Sequence, residues 1–149
     1  KISKINIYNL LSEILNSDPK LSQIVDLKCT RNINIKTNKN NLFRIIFNLI
    51  ENASKYGKRI LVEVIRIDNN LIINIEDDGP GVPDKFRKKI FRPFFKIDNS
   101  RNLNEQGSGL GLSIANELVK KLNGNIIITA SKKLKGSCFT IKIQDLQFL

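Results

Sequence analysis

Apolar residues along this chain change period several times, and each change marks a new element. Ile5 and Ile7 close a short strand; Leu10, Leu11, Ile14 and Leu15 then step by three and four, predicting a helix that stops near Asp18 and Pro19. Residues 24–29 and 33–35 read as a strand pair joined around Arg31 and Asn32. From Asn40 onward, Leu42, Ile45, Ile46, Leu49, Ile50 and Ala53 share one face of a helix, the clearest periodic segment in the sequence. Two β-branched runs, 60–67 and 71–75, flank Asp68, Asn69 and Asn70 and predict an antiparallel hairpin. A second pair, 125–130 and 138–143, flanks a turn near Lys135 and Gly136. Between the hairpins, Ile114, Ala115, Leu118, Val119 and Leu122 form another amphipathic stripe within 110–122. The order predicts an α/β sandwich, a mixed and mainly antiparallel sheet with helices packed on one face.

The stretch 96–109 breaks this regularity. Ile97 and Leu103 are its sizeable aliphatics, so it has little to bury and is expected to be a mobile surface loop, a substrate lid rather than a plain connector.

Length and composition set few further bounds. The 149 residues, 41% hydrophobic and 26% charged, suit a single domain spanning 1–149. A formal charge of +11 favours anionic partners such as nucleotide phosphates, nucleic acid or an acidic protein surface. Abundant Ile, Asn and Lys also point to an AT-rich genome, which accounts for much of that charge without any functional basic face. Cys29 and Cys138 stand far apart in apolar strand contexts and read as buried free thiols of a reducing compartment. No apolar run reaches the roughly 18 residues that span a bilayer and no signal peptide is visible, so a soluble chain without membrane contact is expected.

Four short patches carry candidate chemistry. In residues 48–56 (NLIENASKY), Asn48, Asn52 and Lys55 are spaced by four and three, placing two amide oxygens and an ammonium on one helix face, opposite the aliphatic stripe. That set suits a magnesium–phosphate group, because Mg²⁺ takes only one or two protein oxygens when phosphate supplies the rest. Polar residues on the outside of an amphipathic helix need no such role, however. Residues 77–81 (DDGPG) end an apolar strand with a carboxylate, Asp77, that could accept from the exocyclic amine of adenine, or form an ordinary Asp-Gly turn. Residues 91–95 (FRPFF) are core aromatics or the anchor of the lid, and Lys96 beyond them meets a terminal phosphate or simply solvent. Residues 107–112 (GSGLGL) open the second helix with glycines that expose amides to an anion, and the same glycines could equally form a hinge. Neither a Walker A loop nor a dinucleotide fingerprint fits: no Lys-Ser or Lys-Thr follows, and Leu112 stands where the third glycine belongs.

The order and spacing of these patches resemble the N, G1, F and G2 boxes of the sensor histidine kinase catalytic domain. That domain belongs to the superfamily shared by gyrase, heat-shock protein 90 and mismatch-repair ATPases. The resemblance covers essentially the whole chain and implies the Bergerat fold, with ATP between the Asn40 helix and a lid at about 96–109. By position it implies Asn52 as the Mg²⁺ ligand, Asn48 and Lys55 as phosphate-side catalytic residues, and Lys96 as the basic residue after the F box. Tyr56 then packs by the adenine, Asp77 reads the base, and Gly79 and Gly81 shape its turn. Gly107, Ser108, Gly109, Leu110 and Gly111 form the hinge and phosphate loop.

Gyrase-like and chaperone-like members carry a glutamate where this chain has Asn48, and asparagine is no general base. The resemblance therefore implies phosphoryl transfer to a protein histidine rather than hydrolysis. The chain contains no histidine. The acceptor must then lie on a dimerisation and phosphoacceptor domain of the same parent protein, with a response regulator downstream. It also implies a cytoplasmic domain of a protein anchored in the bacterial inner membrane. Two relatives of this reading stay open: an ATP-binding sensor module, and a related serine kinase or ATPase. A nucleic-acid partner is disfavoured, since no face interleaves aromatic and basic residues.

Overall fold

The computed structural model describes residues 1–97 and 109–148. Its layering follows from two kinds of apolar pattern. Helix α3 (Lys39–Tyr56) presents Leu42, Ile45, Ile46, Leu49, Ile50 and Ala53 as one fully buried stripe, and starts where the Asn38 side chain accepts from the Asn41 amide at 3.1 Å. Strands β4 (Ile60–Ile67) and β5 (Asn70–Asp77) alternate instead, so Val62, Val64, Leu71, Ile73 and Ile75 meet that stripe while Ile65 and Ile67 face out. Their turn places Asp68 in the left-handed region at φ 53°, which a short polar side chain tolerates. Strands β6 (Asn125–Ala130) and β7 (Ser137–Gln144) form the second expected hairpin, and β7 pairs with β5. Helix α4 (Gly111–Lys121) packs beside α3 on the same sheet face.

The first third of the chain departs from its sequence reading. Strand β1 (Ile2–Asn6) runs into α1 (Ile7–Asn16), with Ile7 opening the helix rather than closing the strand because Asn6 caps it, and Asp18 and Pro19 begin a further short helix, α2 (Pro19–Ile24). Pro19 sits at its first turn, and the Asp18 side chain accepts from the Lys20 amide at 3.0 Å. A helix stop and a helix start use the same residues here. Strands β2 (Val25–Lys28) and β3 (Asn34–Asn38) exist but do not pair with each other. Instead β2 lies parallel to β4 at the edge of the five-stranded sheet, ordered β2-β4-β5-β7-β6, and β3 pairs antiparallel with β1 as a separate two-stranded sheet. The supposed turn is captured by β1: the Asn6 side-chain amide donates to the Arg31 carbonyl at 2.8 Å, and the Ile7 amide to Ile33 at 2.9 Å.

Asp145, fully buried just after β7, joins the two sheets. It accepts from the Lys36 amide of β3 at 2.9 Å and from the Arg66 guanidinium of β4 at 2.6 Å, with Gln147 adding two more donors. Burial raises the pKa of such a carboxyl, but the Lys36, Arg66 and Gln147 donors outweigh it and hold Asp145 below the usual aspartate range. Cys29 and Cys138 are free as expected but only half-buried, and burial pushes both thiols up. No helix among the described residues is long and apolar enough to cross a membrane.

Candidate functional site

Helix α3 ends against the turn that follows β5, and the candidate residues gather there and along the α3 flank. At about 100° per residue, Asn48, Asn52 and Lys55 cluster within about 60° of one another. They do not lie opposite the aliphatic stripe as expected. They stand roughly 120° round from its centre, on the flank beside α4, while Glu51 takes the outer face. Asn48 and Asn52 are consequently half-buried, and Lys55 is exposed. A Cβ placed on Gly111, the first residue of α4, would touch Asn48 Cβ and Cγ at 4.0 Å, so the α4 N-terminus opens directly beside Asn48. Leu110, its N-cap, offers no side-chain acceptor to the first-turn amides.

Asp77 closes β5 with its carboxylate buried at 3% exposure. Its Oδ1 accepts from the Gly79 amide at 2.9 Å and from the Ser137 amide at 3.3 Å, and its backbone carbonyl accepts from the Gly136 amide at 3.0 Å. Oδ2 has no donor among the described residues. Burial pushes the carboxyl above the usual aspartate range against the pull of those two amides, and neighbouring Asp78 pushes it further.

The turn is compact because glycines stand where side chains would collide. A Cβ on Gly79 would lie 2.8 Å from the Tyr56 carbonyl oxygen, and Gly81 takes a left-handed φ of 77°. Tyr56 itself ends α3 beside this turn with its ring half exposed, and partial burial raises its phenol.

Three contributors were not singled out by the sequence. A Cβ on Gly136 would stand 2.4 Å from both Asp77 O and Asp77 Oδ1. Asp78 Oδ1 accepts from the Lys58 and Arg59 amides at 2.7 and 3.1 Å, and the Arg59 and Lys58 amides hold this carboxyl below its usual range. A Cβ on Gly57 would lie 2.9 Å from that same oxygen. Gly136 and Gly57 read locally as turn and helix-end glycines; only the tertiary pairing brings them onto the aspartates.

The aromatic patch divides between core and surface. Phe91 stands edge-on to Phe139 at 6.3 Å and Phe95 packs near Phe86 at 5.8 Å, both partly buried. Phe94 is 70% exposed with a φ of 64°, its amide donating to the Gly109 carbonyl at 2.9 Å. Gly109 at φ 76° approaches so closely that a Cβ there would be 2.9 Å from Phe94 Cα. Lys96 is half-buried. Gly107, Ser108 and residues 98–106 of the expected lid lie outside the described residues.

Chemically, the site offers a buried carboxylate with one unused oxygen at one end and two half-buried amides at the other. Neither Asn48 nor Asn52 has a hydrogen-bond partner among the described residues. No cluster of three or more His, Cys, Asp or Glu suited to a metal occurs among those residues. The donor set therefore fits a hard cation held largely by phosphate and water, with an amide oxygen from the protein.

Known proteins resemble this chain in sequence and in fold. The family of histidine kinase-, DNA gyrase B- and HSP90-like ATPases matches residues 37–147. Among curated relatives, the signal transduction histidine-protein kinase AfsQ2 of Streptomyces coelicolor is 37% identical over 120 residues, 80% of this chain and 22% of AfsQ2. ArlS of Staphylococcus aureus, also a signal transduction histidine-protein kinase, is 36% identical over 115 residues, 75% of this chain and 25% of ArlS. The chain thus spans about a quarter of the length of these two relatives. In fold it is similar to the mycobacterial sensor histidine kinase MprB, with TM-score 0.82, 22% identity and 97% of each chain covered. It is likewise similar to the catalytic domain of histidine kinase ThkA, with TM-score 0.81, 19% identity, and 97% and 98% of the two chains covered. The sheet with its helices on one face is thus the Bergerat fold of histidine kinase ATPase domains, and the chain belongs to the histidine kinase-, DNA gyrase B- and HSP90-like ATPase family.

Proposed function

We propose that residues 1–149 form a single catalytic unit that binds Mg-ATP and passes its γ-phosphoryl group to a histidine on a separate dimerisation and phosphoacceptor domain of the same parent protein. The observation that carries this reading is the pairing of Asn48 and Asn52, both without partners among the described residues, with the α4 N-terminus beside Asn48. Asp77 stands at the α3 C-terminus, by Tyr56, as a base reader with Oδ2 available to an exocyclic amine. Gly79 and Gly81 shape its turn.

Each residue then has defined work. Asn52 would hold Mg²⁺ through its amide oxygen, and the ion would neutralise phosphate charge. Asn48, Lys55 and Lys96 orient and neutralise the phosphates, and the α4 N-terminus at 109–111 meets them, with Gly109 as hinge. Tyr56 lies against the base. Phosphoryl transfer asks little covalent chemistry of the protein, so positioning and charge suffice. Asn48 cannot take a proton from water, which suppresses hydrolysis and reserves the phosphoryl group for an imidazole nitrogen, nucleophilic when neutral near pH 7.

The parent protein would be a two-component sensor kinase, anchored in a bacterial membrane, with this domain in the cytoplasm and a response regulator downstream. The test mixes this chain with its histidine-bearing domain and γ-labelled ATP. Acid-labile label on that domain is the expected result. ATP binding without label transfer would indicate a sensor module, and acid-stable label a serine kinase.

A further inference from the structure

Two ends of the candidate site belong to different elements. The phosphate-side residues Asn48, Asn52 and Lys55 ride on α3, whereas the base reader Asp77 belongs to the end of β5. Core packing of α3 on β4 and β5 sets their overall spacing, and at the site itself the local adjustment falls where the α3 C-terminus meets the turn after Asp77. That junction is close because glycines stand on both sides of it: Gly79 lies under the Tyr56 carbonyl, and Gly57 lies against Asp77 Cβ and Asp78 Oδ1. The polar group that spans it is Asp78. Its Oδ1 takes the Lys58 amide at 2.7 Å and the Arg59 amide at 3.1 Å, the two residues leading from Gly57 into β4.

We propose that Asp78 is a positioning residue, which by gripping the connector between α3 and β4 sets the distance between the base-reading carboxylate and the phosphate-side face of α3. Asp78 does not itself touch the nucleotide in this scheme. The inference rests on the nucleotide-binding reading above and deepens it. One carboxylate oxygen shared by two consecutive amides fixes both the height and the tilt of the connector, since losing either bond frees the peptide plane to rotate. A ligand that engages both ends of the site feels that freedom. A ligand that engages the base end alone does not.

The experiment compares ATP, which reaches both ends, with adenosine, which reaches only the base end, by titration followed in NMR spectra of the chain and of its Asp78→Ala and Asp78→Asn variants. For Asp78→Ala the expected result is an ATP affinity lower by about tenfold or more, with adenosine affinity within about twofold. Asp78→Asn keeps a carbonyl acceptor for both amides and should restore ATP affinity to within about threefold of the parent. Equal weakening of ATP and adenosine in Asp78→Ala would overturn the proposal, because it would place Asp78 in local support of the base turn. An ATP affinity unchanged in a folded Asp78→Ala would overturn it too. If Asp78→Ala fails to fold, a tenfold ATP-selective loss in Asp78→Asn would also overturn the proposal, since there the acceptor remains. A parent chain that binds adenosine but not ATP would sink the phosphate-site reading and this inference with it, whereas normal ATP binding with no selective loss sinks only the inference.

Discussion

The Gly136 amide donates to the Asp77 carbonyl at 3.0 Å, and a Cβ on Gly136 would lie 2.4 Å from the Asp77 carboxylate oxygen that already takes the Gly79 and Ser137 amides. The start of β7 is thus wrapped round the candidate base reader with no room for a methyl group. Gly136→Ala should displace the carboxylate, costing about 1–3 kcal/mol of stability through overpacking. Nucleotide affinity should fall with it. Thermal unfolding and an ATP titration on the same sample check both; an affinity equal to the parent's would remove Asp77 from the base contact.

Asp77→Asn replaces an acceptor-only group with an amide of the same shape. If the carboxylate accepts from the adenine amine, ATP affinity should drop about tenfold to a hundredfold, as for losing a charge-assisted hydrogen bond. Circular dichroism should show little change. An unchanged dissociation constant would sink the assignment.

The raised pKa of Asp77 adds a pH signature. Burial favours its protonated form, so affinity should be full at neutral pH and fall with acidification, beginning above the ordinary aspartate value of about 3.9. In stability the sign is opposite. A carboxyl whose folded pKa is raised contributes stability below its unfolded value, and that contribution is lost as pH rises through the folded one. The measurement is a titration of ATP affinity between neutral and mildly acid pH, with Asp77→Asn expected to flatten the profile.

Asn48→Asp tests the choice between transfer and hydrolysis. A carboxylate beside the α4 N-terminus could act as a base toward water, and ATPase activity should rise about tenfold or more while transfer to histidine falls. Inorganic phosphate release and acid-labile labelling, measured together, check it. Strong hydrolysis by the unmodified chain would count against the assigned role of Asn48.

Asp145 governs acid stability. Its depressed pKa means its contribution is present above the unfolded aspartate value and is lost as pH falls through the folded one. Asp145→Ala removes the acceptor shared by Arg66, the Lys36 amide and Gln147, while Arg66 keeps the Asn34 carbonyl, and should cost about 1–3 kcal/mol. Denaturant unfolding at neutral pH and at pH about 3 separates the variants, the gap between parent and variant narrowing in acid. A gap that did not narrow would assign the loss to packing.

What the sequence made legible was local. The α3 stripe, both hairpins and the helix after Gly109 follow from period and turn chemistry within a few residues. The β2 and β3 strands were visible too, but their partners were not, because β2 pairs in parallel with β4 across all of α3 and nothing in Val25–Lys28 encodes that distance. Motif spacing singles out Asn48, Asn52, Asp77, Gly79 and Gly81 as candidates, and the fold brings Asp77, Gly79 and Tyr56 together. Gly136 escaped notice because the contact that matters lies 59 residues from Asp77 along the chain, in a turn that looks ordinary by itself. Asp78 stands in the DDGPG patch with no role that its local sequence assigns, since an amide-gripping role depends on where the α3 connector returns.

The hold of Gly136 and Ser137 on Asp77 also orders events during biosynthesis. Helix α3 and the β4–β5 hairpin are complete well before residue 136 has been added, yet Asp77 gains the Gly136 and Ser137 amides only afterwards. A nascent chain therefore carries α3 and the β4–β5 hairpin before Asp77 has its full set of amide donors. On the proposed reading, an interrupted translation product that lacks β7 would also lack a finished adenine end.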